Sequence, residues 1–144
     1  MVMGINRLPT DDYFMSIAYK VAGRSTCDRA HVGAVIVRDD NTICSTGYNG
    51  APRKQAHCDD VGHIMENGHC VRALHAEGNA LDWAYERLDR YTLYTTHFPC
   101  WHCAQRIVNR GIVRVVYGQE YRDSEETMKM LRFAGVSVVK AGGR

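Results

Sequence analysis

Cys100-Trp101-His102-Cys103-Ala104-Gln105-Arg106-Ile107-Val108-Asn109-Arg110-Gly111, running on into Val113-Arg114-Val115-Val116-Tyr117, is the stretch whose periodicity decides the fold class. Ala104, Ile107 and Val108 recur at helical spacing, and a Gly just past them suits the left-handed position that opens a short link into a strand. The same unit follows at once: Ser124 to Ala134, then Gly135, then Val136 to Val139. Two helix-to-strand units in succession predict parallel strands joined by crossover helices. Upstream, apolar residues at 76, 80, 81, 83, 84 and 88 predict a helix over Ala76 to Leu88, and Tyr91 to Thr95 reads as a strand. Val32 to Val37 and Ile43 to Tyr48, separated by Arg38-Asp39-Asp40-Asn41, read as an antiparallel hairpin. Residues 11–22 place apolar groups at 14, 17, 18 and 21, a helix with Thr10 as N-cap and Gly23 as its end. The order α-β-β-α-β-α-β-α-β implies an α/β fold of three layers, a mixed sheet of about five strands with helices on both faces. Gly50 to Cys70 has few periodic apolar residues and reads as a long ordered loop, which needs something to order it.

The 144 residues are 45% hydrophobic and 24% charged, with 18 Lys+Arg against 16 Asp+Glu, as expected for a single domain over 1–144. Apolar runs such as Ala34-Val35-Ile36-Val37 fall far short of the ~20 residues of a membrane span, and Met1 to Thr10 holds no signal-peptide core. The expectation is a soluble cytoplasmic protein with no membrane partner. A net charge of +2 argues against a nucleic-acid coat, though not against one phosphate-bearing ligand. The six cysteines stand beside seven histidines. In a chain long enough to build its own core, without an export signal, clustered Cys and His point to metal rather than disulfides.

The strongest such cluster is His75-Ala76-Glu77 at one predicted helix start and Pro99-Cys100-Trp101-His102-Cys103 at the next. Cys100 and Cys103 share one side of a first helical turn. Two thiolates and an imidazole leave the fourth tetrahedral position of Zn²⁺ open, the ligand count of a catalytic site. Pro99 rigidifies the helix start, and the helix dipole favours thiolates there. His75 and Glu77 would be about 200° apart in a regular helix, so both face one site only if His75 precedes the regular turns. Glu77 then stands off the metal, able to handle protons for an activated water. Alone, the CxxC is equally a structural half-site or a redox pair, and the HxE a coincidence. Their combination at two helix starts is what argues for a metal centre.

The arrangement HxE…PCxxC is the signature of zinc deaminases, and the chain resembles the deoxycytidylate (dCMP) deaminases among them. The resemblance runs from about Tyr13 to Val139. It rests on Arg24-Ser25-Thr26-Cys27, Val32 to Val37, Gly47-Tyr48-Asn49-Gly50, His69-Cys70-Val71-Arg72, His75 to Ala80, Phe98 to Cys103, and Tyr121-Arg122-Asp123-Ser124 through Val136. It implies the cytidine deaminase-like fold and hydrolysis of dCMP to dUMP and ammonia in pyrimidine nucleotide synthesis. A zinc-activated water would attack C4, Glu77 would shuttle the proton, and His75, Cys100 and Cys103 would hold zinc. The backbone near Ala76 would donate hydrogen bonds to the pyrimidine. Asn49, otherwise a turn asparagine, is assigned to the deoxyribose hydroxyl, and Asn79 to a role near the site or in fixing the Asn49 loop. Arg24, Ser25, Tyr121 and Arg122 are the candidates for the 5′-phosphate.

Some members of the resembled family hold a second, structural zinc, and Cys27, Cys58, His63 and Cys70 are the ligand candidates for it here. That set would explain the ordered loop, whereas the alternative is a mixture of buried thiols and surface histidines. Cys44, inside a predicted strand, goes to the core. The resemblance further implies a homohexamer, activated by dCTP and inhibited by dTTP, with Mg²⁺ accompanying the nucleotide. Tyr48, Gly50, Arg53 and Lys54 are the candidates for that effector site. Two other readings stay open: a related deaminase acting on another base or on tRNA adenosine, and a zinc-binding module without catalysis.

Overall fold

The computed structural model describes residues 6–28, 30–120 and 124–142, with His69 described by its backbone. α1 (Thr10–Ala22) precedes the hairpin of β1 (Gly33–Val37) and β2 (Ile43–Tyr48). Then come three short elements, α2 (Cys58–Val61), β3 (Met65–Glu66) and β4 (His69–Cys70), followed by α3 (Ala76–Asp82), β5 (Thr92–His97), α4 (Trp101–Asn109), β6 (Arg114–Gln119), α5 (Glu125–Phe133) and β7 (Ser137–Lys140). The main sheet has the order β2-β1-β5-β6-β7. β1 pairs antiparallel with both β2 and β5, while β5, β6 and β7 run parallel. This is the expected mixed five-stranded sheet.

β1 shows why the layers form. Its alternate residues Val35 and Val37 pack with Phe14, Met15 and Ala18 of α1 on one face. Ala34 and Ile36 pack with Ala76, Ala80 and Leu81 of α3, together with Ile107 of α4 and Leu131 of α5, on the other. A strand buried on both faces needs a continuous apolar run, and Gly33 to Val37 is one. At the far end of α1, Asp11 accepts two hydrogen bonds from Arg114 of β6, at 2.8 and 2.6 Å, and one from the Tyr94 hydroxyl of β5 at 2.7 Å.

Three local expectations change. Thr10 is the first helical residue, and Pro9 occupies the N-cap position. The helix expected over Ala76 to Leu88 ends at Asp82. Ala84 and Leu88 are still buried, so the spacing reported burial correctly while the backbone had left the helix. The guanidinium of Arg110 takes Leu81 O and Ala84 O at 2.7 Å each, satisfying carbonyls that a longer helix would have bonded internally. The stretch from Gly50 to Cys70 is not all loop. Asn67 (φ 51°) and Gly68 (φ 80°) form a two-residue turn between β3 and β4, the positive-φ pair that Asn-Gly adopts readily. Among the described residues, no helix is long and apolar enough to cross a membrane.

Candidate metal centre and active site

Two helix starts build the site. His75 is the N-cap of α3, with extended backbone (φ −76°, ψ 150°), and Cys100 is the N-cap of α4, also extended (φ −71°, ψ 168°). Because His75 lies outside the regular turns, it faces the same space as Glu77. Its Nδ1 lies 3.4 Å from both Cys100 Sγ and Cys103 Sγ. The Cys103 N–H in turn donates to Cys100 Sγ at 3.5 Å. The three donor atoms lie within 4.8 Å of one another, close enough for one cation to touch all three. An S₂N set suits a borderline-soft metal such as Zn²⁺, and three ligands leave a tetrahedral position for a reacting molecule.

The electrostatics agree with that use. Hydrogen bonding from Cys103, with His75 and the Cys103 N–H adding to it, holds the Cys100 thiol down at about 3. That makes it a ready thiolate ligand. The Cys103 thiol is pushed up because it shares its proton with Cys100 and is buried. A bound cation deprotonates both. Glu77 is 4% exposed, and this burial pushes its carboxyl up to about 7. A cation alongside draws that value down again, so Glu77 sits where it can both take and release a proton.

His75, Glu77 and Cys100 line a cavity of about 140 Å³, as do Ala76, His97 and Phe98. Asn49, Cys27, Cys70 and Ala73 line the same cavity. Gly47 brings α3 against β2: a Cβ there would collide with Ala76 O and Ala80 N, so only a glycine lets the helix that carries Glu77 sit this close.

Cys27 and Cys70 also belong to a second cluster. Cys27 Sγ is 3.6 Å from His63 Nδ1, Cys58 Sγ is 3.4 Å from Cys70 Sγ, and all four donor atoms lie within 4.8 Å of one another. Burial and neighbouring thiols push Cys58 up to about 12. Burial alone would also raise Cys70, but backbone N–H groups at Arg72 and Ile64, with Cys58 and His63, bring it down to about 6. Sequence reasoning missed Asp28: its Oδ1 lies 2.8 Å from His63 Nε2, which orients the ring and leaves Nδ1 for the cluster. The adjacency of Asp28 to Cys27 was the available signal. An S₃N set with no position left over has the ligand count of a structural site.

The remaining candidates divide into those at the cavity and those away from it. Asn49, 8% exposed, lines the cavity, yet its Oδ1 accepts from Val32 N at 2.9 Å and its Nδ2 donates to Ala30 O at 2.7 Å. Asn79 Nδ2 donates to Tyr48 O at 2.8 Å, tying α3 to the residue before Asn49. Ser25 Oγ exchanges bonds with Cys27, at 3.2 Å to its carbonyl and 3.3 Å from its N–H. Arg24 and Tyr48 are exposed. Gly50 forms a two-way bridge with Leu74, at 3.1 and 2.7 Å, which closes the chain between the two clusters. Arg53 stacks over Trp83 at 4.5 Å, and Lys54 turns the chain at φ 64°. Tyr121 and Arg122 lie outside the described residues. Cys44 is only partly buried: it packs against the core, and its thiol lies 3.2 Å from Glu86 Oε1.

The family model described as cytidine and deoxycytidylate deaminase zinc-binding region matches residues 8–119. The chain is 40% identical over 129 residues to the deoxycytidylate deaminase of Mycobacterium phage D29, covering 81% of this chain and 99% of the phage protein. It is 43% identical over 136 residues to the deoxycytidylate deaminase of Saccharomyces cerevisiae, covering 89% of this chain but 43% of that longer protein. Among solved structures, the dCMP deaminase of cyanophage S-TIM5 in complex with dCMP and dUMP matches with a TM-score of 0.80 and 32% identity, over 94% of this chain and 99% of that one. Both clusters, the buried Glu77 and the strands β1, β2, β5 and β6 thus lie within a recognised sequence: the chain belongs to the cytidine and deoxycytidylate deaminase family.

Proposed function

We propose that the protein is a single-domain hydrolase, residues 1–144, that converts dCMP to dUMP and ammonia. The observation that carries this reading is the convergence of His75, Cys100 and Cys103 with a 4% exposed Glu77 on one small cavity. The dCMP specificity is supported by the likeness to the phage D29 and S-TIM5 enzymes.

His75, Cys100 and Cys103 would hold zinc, whose Lewis acidity lowers the pKa of a water to about 7 and so supplies a nucleophile at neutral pH. Hydrolysis adds that water's oxygen to C4 of the pyrimidine and releases the exocyclic amino group as ammonia. Glu77 takes one proton from the attacking water at a carboxylate oxygen and delivers it to N3, then takes the second from the hydroxyl now on C4 and passes it to the departing amino nitrogen. Its burial excludes bulk water and keeps its carboxyl near the value a two-way carrier needs. Backbone at Ala76, on the cavity wall, donates to the pyrimidine, and Asn49 to the deoxyribose hydroxyl. Asn79 holds the Asn49 loop. For the phosphate we retain Arg24, Ser25, Tyr121 and Arg122. Cys27, Cys58, His63 and Cys70 would hold a second, structural zinc.

The same reading takes the protein as a cytoplasmic enzyme of pyrimidine nucleotide synthesis, a homohexamer activated by dCTP and inhibited by dTTP. Tyr48, Gly50, Arg53 and Lys54 are the effector residues in it, with Mg²⁺ on the nucleotide. The test is ammonia release from dCMP, deoxycytidine, dCTP and an RNA hairpin, with and without the effectors. Turnover confined to dCMP supports the assignment. Turnover of the hairpin alone replaces it with a tRNA-type activity, and no turnover of any substrate leaves a binding module.

A further inference from the structure

His97 ends β5, three residues before Cys100, and lines the same cavity as His75, Glu77 and Cys100. Its position is rigid. Thr95 Oγ1 donates to His97 O at 2.9 Å, His97 pairs with Gln119 in the parallel ladder, and Phe98 N donates to Gln119 O at 2.8 Å. The ring is held from one side as well, since His97 Nδ1 lies 2.8 Å from Thr96 Oγ1.

That contact fixes the tautomer. Thr96 is 0% exposed, and its hydroxyl oxygen already receives the Gly33 N–H at 3.1 Å. Among the described residues, His97 Nδ1 is the acceptor within reach of the hydroxyl proton. Were Nδ1 protonated, two donors would point at Thr96 Oγ1 and the hydroxyl hydrogen would be buried without an acceptor, a desolvation cost with no return. Nδ1 is therefore the acceptor, and a neutral ring must carry its proton on Nε2. Burial lowers the His97 pKa, which keeps the ring neutral. Among the described residues, no protein group meets Nε2.

We infer that His97, held in the Nε2–H form by Thr96, is a substrate-positioning donor that presents one uncharged N–H to an acceptor oxygen of the nucleotide. This inference rests on the cavity being the nucleotide site. An uncharged donor in this place discriminates by hydrogen bonding alone and keeps a second positive charge away from the metal ligands and Glu77. The matching ligand atom is a carbonyl, hydroxyl or phosphate oxygen.

The test uses the zinc-loaded protein and two readouts. First, ¹⁵N-edited NMR of the His97 ring, without ligand, reports an Nε2–H tautomer; an Nδ1–H tautomer overturns the proposal whatever the enzyme acts on. On titration, dUMP shifts the Nε2 resonance. A shift with deoxyuridine too assigns the oxygen to base or sugar, and a shift with inorganic phosphate assigns it to the phosphate. If dUMP binds and leaves Nε2 unmoved, the proposal fails, while absence of any dUMP binding overturns the functional reading instead. Second, His97→Asn retains an acceptor for Thr96 but cannot reach into the cavity, so KM for dCMP rises about tenfold, the worth of one neutral hydrogen bond. His97→Gln, with a longer amide donor, recovers most of that loss. An Asn variant with wild-type KM would mean that His97 serves the fold alone.

Discussion

The backbone at His75 decides the chemistry at the residue scale. Two residues separate it from Glu77, and a helix would send the two side chains to different faces. The extended φ and ψ of the N-cap bring them to one cavity instead. Glu77→Gln keeps the shape and the ligands but removes the proton carrier, so kcat should fall by about 10³-fold or more with zinc content unchanged. Steady-state kinetics beside metal analysis checks both halves, and near-normal turnover would end the proton-shuttle assignment. Asp28 gives a second prediction. With its Oδ1 lost in Asp28→Ala, His63 is no longer oriented, and the second metal should bind about 10–100-fold more weakly. Competition with a chromophoric chelator should resolve two classes of zinc, of which only one weakens.

At the scale of elements, the site depends on how closely α3 approaches β2. Gly47 is the condition for that approach, because a methyl group there meets Ala76 O and Ala80 N, backbone atoms that cannot turn aside. Gly47→Ala should cost about 2 kcal/mol in urea denaturation, as overpacking does, and should lower kcat as well by moving His75 and Glu77 against Cys100. Stability lost with kcat intact would show that the catalytic geometry does not depend on this contact. The elements between Gly50 and Cys70 are a different case. Their apolar content is poor, and Cys27, Cys58 and Ala73 form only a small buried cluster. A metal held by Cys27, Cys58, His63 and Cys70 would supply the order that apolar packing does not. Since Cys27 and Cys70 also line the cavity, the second cluster forms part of the cavity lining.

For the whole molecule, the two faces of β1 join the layers, and Asp11 ties the start of α1 to the inner strands β5 and β6. Its hydrogen bonds from Arg114, against some desolvation and with Tyr94 adding to them, hold the Asp11 carboxyl below its ordinary 3.8. A lowered folded value means that this stabilisation is fully present above the unfolded pKa and is lost as pH falls through the folded one. Asp11→Asn should therefore cost about 1 kcal/mol at pH 7, a figure discounted because the pair is one-third exposed. The gap between wild type and variant should close as the pH drops below about 4. Urea titrations across that range check it, and a gap independent of pH would remove the ion pair as its source. Zinc acts on the whole fold too. If both clusters load, free zinc at 100 times its Kd adds about 2.7 kcal/mol per site, so chelation should lower Tm in two steps.

The sequence by itself determined the α/β class, the strand order along the chain and the grouping of His75, Cys100 and Cys103. Each of these is written in local signals: a 3.6-residue spacing, a Gly past a helix, an HxE and a CxxC at helix starts. It could not say that α3 stops at Asp82, because Ala84 and Leu88 are buried whether helical or not, and the competing hydrogen bonds come from Arg110, the residue that follows α4. Nor could it show the Asp28 contact with His63 or the Thr96 hold on His97. The first depends on a loop folding back over 35 residues of chain. The second depends on Gly33, from a neighbouring strand, taking up one side of the Thr96 hydroxyl. Spacing along a chain reveals which groups share a face. Which lone pair or proton remains free at the site is decided by what the rest of the fold has already used.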